Sequence, residues 1–413
     1  MMLAEIKRFL RPSRPFQTKI RLADNQPLSD TEYQLACKLC DILAAVSAAA
    51  NQERANPPEG GVFWENANDT LGPFSLHLRK DRKEIDHSFL MNTRFRDFPT
   101  IAYEFDGYTP APDFWVQRYK TLAPLVPAKW RAKIPARFGE TGWNFKGYPI
   151  NRLTGVNQER ILAMYLAGIT QHLEQKPVAR MLEIGAGGGE MGYILCKALP
   201  RAAWFNCDLI GSLAYAAIHL AILLPEKRHY IYVGNLPLPS HIDERLVIRS
   251  AKEASALQDA VINIPNFLLD DFQGELQLDF AYNTYSFGEM PSQAVAHYVR
   301  LLSGFLKKQG VLFEQNGYFP DRGGDNPENM LSSAFKQFYL PQQIDGRWFL
   351  GGPMRFWCNN DADTALSKIS HSPNMKRKLP GMIAVLNEPH DCQDLQRVSG
   401  AWDELKKLCP KGL

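Results

Sequence analysis

Seven cysteines in 413 residues is an odd number, and no spacing pairs them, so the chain has no disulfide framework. Cys37 and Cys40 form a lone C-x-x-C inside a helical pattern, with no second pair to complete a zinc site. They read as small apolar residues facing a core. Charge of one sign is also missing. Against 47 Lys and Arg stand 44 Asp and Glu, a net charge of +3, whereas a nucleic-acid surface masses its basic residues on one face. No nucleic-acid partner is therefore expected. The basic runs at 79–83 and 376–378 are short and read as solvated turns or helix ends. No long apolar run is uninterrupted. The longest, at 33–50, contains Lys38 and Asp41, so no membrane span is expected. Residues 1–16 are polar and basic, without the apolar core of a secretion signal, and a cytoplasmic location is the expectation. Repeats and low-complexity tracts are absent too, and 45% hydrophobic with 22% charged residues suits an ordinary globular chain.

What the chain does have is one strand–glycine–helix unit around which the rest is arranged. Arg180-Met181-Leu182-Glu183-Ile184 is an apolar run too short for a helix, as a buried parallel strand should be. Gly185, Gly187 and Gly189 follow, and then a helical period of Met191, Ile194, Leu195 and Ala198 that Pro200 stops. Glycine takes left-handed backbone angles cheaply and lets the chain approach a ligand, while the free N–H groups of the next helix face that ligand. A dinucleotide turn needs a small sixth residue. Here that residue is Glu190, a large acid beside the expected pyrophosphate, which disfavours NAD. One βαβ unit later the strand Trp204-Phe205-Asn206-Cys207-Asp208 ends on a carboxylate, placed to accept hydrogen bonds from both hydroxyls of a ribose.

The remaining pattern alternates strands and helices. Ser29-Asp30-Thr31-Glu32 opens a long helix running toward Arg54, and a second helix is expected over 154–175. Further helices are expected at 212–224, where His219 reads as a packed histidine, and at 245–257. A helix beginning at Pro291 should close with Lys307 and Lys308 before Gly310. Strands are expected at 261–266, 278–283 and 311–314, with an extra one at 230–233 and an antiparallel pair at 347–350 and 354–358. The fold class is thus α/β, a doubly wound Rossmann-like sheet with an N-terminal, largely helical extension. Residues 1–150 read as a helical and loop-rich acceptor-binding region or lid, 151–360 as the cofactor domain, and 361–413 as an unassigned extension.

Leu182-Glu183-Ile184-Gly185-x-Gly187-x-Gly189 resembles motif I of the class I S-adenosylmethionine-dependent methyltransferases. The resemblance implies S-adenosylmethionine as cofactor. Glu183 would then face the positive charges of its amino-acid tail, Asp208 its ribose, and Asn266, at the exit of the third strand, its adenine. The fourth strand delivers Asn283-Thr284-Tyr285-Ser286-Phe287-Gly288-Glu289-Met290-Pro291 to the same sheet edge. That segment, with Asn316 just after the fifth strand, resembles a narrower family of sugar O-methyltransferases over roughly residues 138–320. It implies a carbohydrate or glycosylated small molecule as acceptor.

Methyl transfer to oxygen needs in-line alignment of acceptor, methyl and sulfur, and a base near the hydroxyl helps. Glu289 is the candidate base, although an acid there also suits the N-terminus of the following helix. Asn283 would touch cofactor or acceptor, Ser286 would hold a hydroxyl, and Tyr285 would line the sugar face. Glu140 and Trp143, in Phe138-Gly139-Glu140-Thr141-Gly142-Trp143, would meet and stack on the substrate, or else form a turn plugging the core. No spacing marks a metal site. An amine or carboxylate acceptor, a non-catalytic cofactor-binding protein and an NAD enzyme stand as the alternatives.

Overall fold

The computed structural model describes residues 28–53, most of 116–137, and 143–316, 326–339 and 354–359. The chain divides into two compact units. One takes its described residues from Ser88–Leu162; the other takes them from Leu28–His87 and Ala163–Ser372.

In the larger unit the chain begins with helix α1, Asp30–Glu53. Its start is a capping box: Ser29 N–H donates to Glu32 Oε2 at 2.8 Å, and Glu32 N–H donates to Ser29 Oγ at 3.4 Å. By length and composition residues 30–50 are apolar enough to cross a bilayer. Here, however, Ala36, Leu39, Cys40, Ile42, Leu43 and Val46 are buried, and the helix packs against a second apolar helix, described below as α5. The five described cysteines are free thiols, and burial raises that of Cys40 well above its ordinary pKa.

The smaller unit holds a hairpin, β1 (Trp143–Phe145) and β2 (Tyr148–Ile150). Its two-residue turn puts Lys146 (φ 53°) and Gly147 (φ 88°) in left-handed backbone, the conformation that matches strand twist. Helix α2, Arg152–Leu166, follows; Asn151 and Thr154 cap it reciprocally through Thr154 N–H to Asn151 Oδ1 at 2.8 Å. The expected single helix over 154–175 is broken. Gly168, at φ 77°, ends the run and restarts it as α3, Ile169–Glu174.

From there the larger unit alternates as expected through β3 (Arg180–Ile184), α4 (Glu190–Ala198), β4 (Ala203–Asp208), α5 (Ile210–Leu223) and β5 (Arg228–Tyr232). The expected helix over 245–257 is mostly replaced. β-Branched Val247 and Ile248 form a short edge strand, β6, and only then does Ser250, accepting from Glu253 N–H, cap a helix α6 over Ala251–Ala256. Next come β7 (Ala260–Pro265), β8 (Leu278–Thr284), the one-turn helix α7 (Ser286–Glu289), α8 (Ser292–Phe305) and β9 (Leu306–Gln315). Lys307 and Lys308 therefore open a strand rather than close a helix. Lys307 Nζ reaches Oδ1 of Asp279, 1% exposed on β8, at 2.8 Å, a pairing across neighbouring strands that local sequence does not show.

Helix α9 (Pro327–Ala334) and strands β10 (Phe335–Tyr339) and β11 (Met354–Asn359) complete the described chain. Strand β11 is antiparallel, as expected, but it pairs with β10 and β9. Residues 347–350, its expected partner, lie outside the described residues.

Among the described residues the sheet has nine strands in the order β10-β11-β9-β8-β3-β4-β7-β5-β6, with β11 antiparallel to its neighbours and the other pairings parallel. This is the doubly wound, Rossmann-like sheet read from the sequence. Its central strands are buried throughout, β8 from end to end. Helix α5 buries thirteen of its fourteen residues between α1 on one side and β4, β7 and α4, each large side chain contributing about 1.5–3 kcal/mol. The chain leaves β3 first toward β4 and later returns on the other side as β8. A doubly wound sheet binds its ligand where that reversal falls, beyond the carboxyl ends of the two strands.

Candidate functional site

Residues 185–189 and 285–289 leave β3 and β8 at this switch point, and they meet. Gly185, Gly187 and Gly189 have φ of 75°, 52° and 76°, where a Cβ is strained. At Gly185 the space is closed as well, since a Cβ would collide with the Ser286 side chain. At Gly189 it would lie 3.2 Å from Leu220 Cγ and 3.3 Å from Ala216 Cα on α5. The turn is thus pressed between the β8 loop in front and a helix behind, and only glycine fits.

Asp208 stands on the next strand and is tied into the same turn. Its Oδ2 accepts from Gly187 N–H at 2.9 Å and its Oδ1 from Leu209 N–H at 2.7 Å. Ala186 N–H bonds the same carboxylate, and three N–H groups do not exhaust its about four acceptor positions. Burial pushes this carboxyl up to about 6, against the lowering effect of those three hydrogen bonds, and the negative charge of Glu289 adds to the rise. Glu289 is therefore within electrostatic reach of Asp208. The two acids belong to loops that the sequence keeps eighty-one positions apart.

The 283–289 segment is held from within. Asn283 is 0% exposed; its Nδ2 donates to Ile184 C=O at 2.9 Å and to Ser286 Oγ at 2.5 Å. Its Oδ1 accepts from Asn316 Nδ2 at 2.8 Å. Asn316, 3% exposed, also donates to Glu314 Oε2 at 3.0 Å and accepts from Gly288 N–H at 3.3 Å. Glu314, fully buried, bonds Arg355 Nη1 at 2.8 Å, and Arg355 Nη2 reaches Glu328 at 2.8 Å. A chain of buried polar groups so runs from the end of β3 across β8 and β9 to β11. Asn283 and Asn316, expected at ligand-contacting positions, present almost no surface here, because a buried amide must satisfy its donors internally. They brace the loop that Tyr285, Ser286 and Glu289 present, and those three are half-exposed. Tyr285 is in left-handed backbone at φ 65°, pinned by its N–H to Gln315 C=O at 3.0 Å. Such a conformation costs about 1–3 kcal/mol and persists only where surroundings impose it.

Asn266 opens the turn after β7, beside the end of β4, where Asp208 registers with Pro265. It is hydrogen bonded to Tyr298 of α8, a buried residue that also contacts Cys207 and lies 6.2 Å from the Phe287 ring. Tyr298 was not a sequence candidate, because it falls on the apolar stripe of its helix with Val295, Val299 and Leu302. Glu183 is 4% exposed in the middle of the sheet, and Glu190 is 8% exposed in the first turn of α4. An acid at that helix start opposes the attraction for phosphate a bare N-terminus has. Glu140 lies outside the described residues. Trp143 opens β1 in the smaller unit. Among the described residues no three His, Cys, Asp or Glu side chains gather as they do around a metal ion.

No family model and no curated protein sequence matches the chain. Among solved structures it is similar to a TehB-like S-adenosylmethionine-dependent methyltransferase from Corynebacterium glutamicum, with 12% identity over 47% of this chain and 88% of that one, at a TM-score of 0.30. It is also similar to a ribosomal protein L11 methylase from Lactobacillus delbrueckii subsp. bulgaricus (12% identity, 47% and 76% coverage, TM-score 0.27). A third is CalS10, an amino pentose methyltransferase from Micromonospora echinaspora solved with its cofactor bound (16% identity, 39% and 52% coverage, TM-score 0.24).

Proposed function

We propose that this protein is a cytoplasmic S-adenosylmethionine-dependent O-methyltransferase acting on a hydroxyl of a sugar or glycosylated small molecule. One observation carries the reading: the glycine turn after β3, the Ser286–Glu289 turn after β8 and the Asp208 carboxylate converge on the switch point of the sheet. The residues fit the cofactor. Asp208 keeps acceptor lone pairs for a ribose, and the left-handed glycines leave no side chain over the turn. The buried acid Glu190 and the Asp208 carboxylate suit a ligand carrying ammonium and sulfonium charges better than a pyrophosphate. When bound, S-adenosylmethionine supplies an electrophilic methyl group. Asp208 would hold the ribose, Asn266 would border the adenine, and Glu183 would set the negative field at the end of β3. Tyr285 and Ser286 would orient the acceptor, and the Glu289 carboxylate would take the proton of its hydroxyl.

Calorimetric titration of the purified chain with S-adenosylhomocysteine and with NADH tests the cofactor. Binding of the first and not the second is expected, and the reverse would end the reading. For Glu289→Gln, turnover on a hydroxyl acceptor should fall by about 10²–10⁴-fold, the usual contribution of a positioned base. Affinity for S-adenosylhomocysteine should stay within about threefold of the parent, since a base acting on the acceptor adds little to cofactor binding. Equal turnover in parent and variant would remove Glu289 as base.

A further inference from the structure

Helix α5 does more than cover the sheet. Ala216, His219 and Leu220 are spaced i, i+3 and i+4 and so share one face. That face meets the glycine turn: Ala216 and Leu220 lie against Gly189, and His219 Nδ1 lies 2.7 Å from the Gly188 carbonyl oxygen. His219 is 0% exposed. A carbonyl can only accept, so Nδ1 carries the proton and donates it. The N–H of the same peptide unit, on Gly189, is bound to Ala186 C=O at 2.8 Å. The peptide between Gly188 and Gly189 is thereby clamped at both ends. With glycine on either side of it, and Gly189 in left-handed backbone at φ 76°, this peptide unit has no Cβ to restrict its rotation.

We propose that His219 is a positioning residue for cofactor binding, fixing the orientation of the glycine turn from behind through its Nδ1 hydrogen bond. The inference rests on the cofactor reading above. It makes the turn preorganised, so that ordering it is not charged against ligand affinity. The role belongs to one nitrogen, and two substitutions separate it from space filling. Asparagine places its amide nitrogen near the position of Nδ1, whereas glutamine places it near that of Nε2.

The test compares the full chain with His219→Asn, His219→Gln and His219→Leu by calorimetry with S-adenosylhomocysteine. Amide hydrogen exchange over residues 185–190 of the ligand-free proteins is measured in parallel. His219→Asn should stay within about threefold of the parent in both, because the bond is kept. His219→Gln and His219→Leu should bind about tenfold more weakly and exchange the turn about tenfold faster, the worth of one buried hydrogen bond. Equal behaviour of the asparagine and glutamine variants would overturn the proposal, as would a leucine variant matching the parent. If the leucine variant fails to fold, the asparagine–glutamine comparison still decides. If the parent binds no S-adenosylhomocysteine, the cofactor reading fails alone, and exchange in the turn still decides the role of His219.

Discussion

Asp208→Ala is expected to weaken S-adenosylmethionine binding by about two orders of magnitude or more, since two hydrogen bonds to a charged carboxylate are each worth about 1.5–3 kcal/mol. The effect should exceed that of any other single substitution at the glycine turn that leaves the fold intact. Asp208 anchors the Gly187 and Leu209 N–H groups, and on the proposed function it also accepts from the ribose of the cofactor. Calorimetry on the folded variant reads the loss directly, and an unchanged dissociation constant would remove Asp208 from the ribose.

The same residue gives the ligand-free protein a pH signature. Its carboxyl rises from 3.8 to about 6, chiefly through burial. The folded state therefore binds more protons than the unfolded state between those values. The stability this group contributes is complete below about pH 4 and is lost as pH rises through 6, an effect of at most about 3 kcal/mol and less for a partly exposed group. Urea denaturation should show the parent losing more stability than Asp208→Asn between pH 4 and 6. Parallel stability curves would show that Asp208 is not raised. If Asp208 holds the ribose as proposed, cofactor affinity of the parent should fall below about pH 6, where this carboxylate takes up a proton.

Much of this arrangement was written locally, and what was not written locally was missed. Strands β3, β4, β7 and β8 are legible because a strand buried on both faces must be a nearly unbroken apolar run, and the glycines and Asp208 stand out at the ends of two of them. The contact between Gly185 and Ser286 joins residues 101 apart in sequence, and no periodicity encodes it. His219 looked like any histidine on an apolar helix, because its meaning lies in the direction of one ring nitrogen. Lys307 looked like a helix C-terminal cation until Asp279, buried across the sheet, claimed it. Asn283 and Asn316 are legible as members of a motif, whereas the hydrogen bond between their buried amides joins residues on different strands and no spacing encodes it.

That inward-facing amide pair makes Arg355, far from the motif, a determinant of the loop. Glu314 is fully buried, and burial pushes its carboxyl up while Arg355 pulls it down. Removing the guanidinium leaves a buried carboxylate whose partner is gone, a change that costs about 3–5 kcal/mol. Arg355→Ala should therefore destabilise the chain by that amount at pH 7.5, measured by urea denaturation. Its deficit should shrink as pH is lowered, because Glu314, raised further without its cation, takes up a proton in the folded state first. Glu314→Gln should cost less, since Arg355 retains Glu328 at 2.8 Å and the amide is uncharged. Adding Glu314→Gln to Arg355→Ala should then restore part of the lost stability, because no unpaired charge remains in the sheet. A single Arg355 variant as stable as the parent, or a double variant no better than the single, would show that the chain from β11 to the 283–289 loop carries no tension. In Glu314→Gln, Asn316 loses the carboxylate charge that orders it, and on the proposed function turnover should fall more than cofactor affinity does, since Asn316 holds Gly288 of the 285–289 turn.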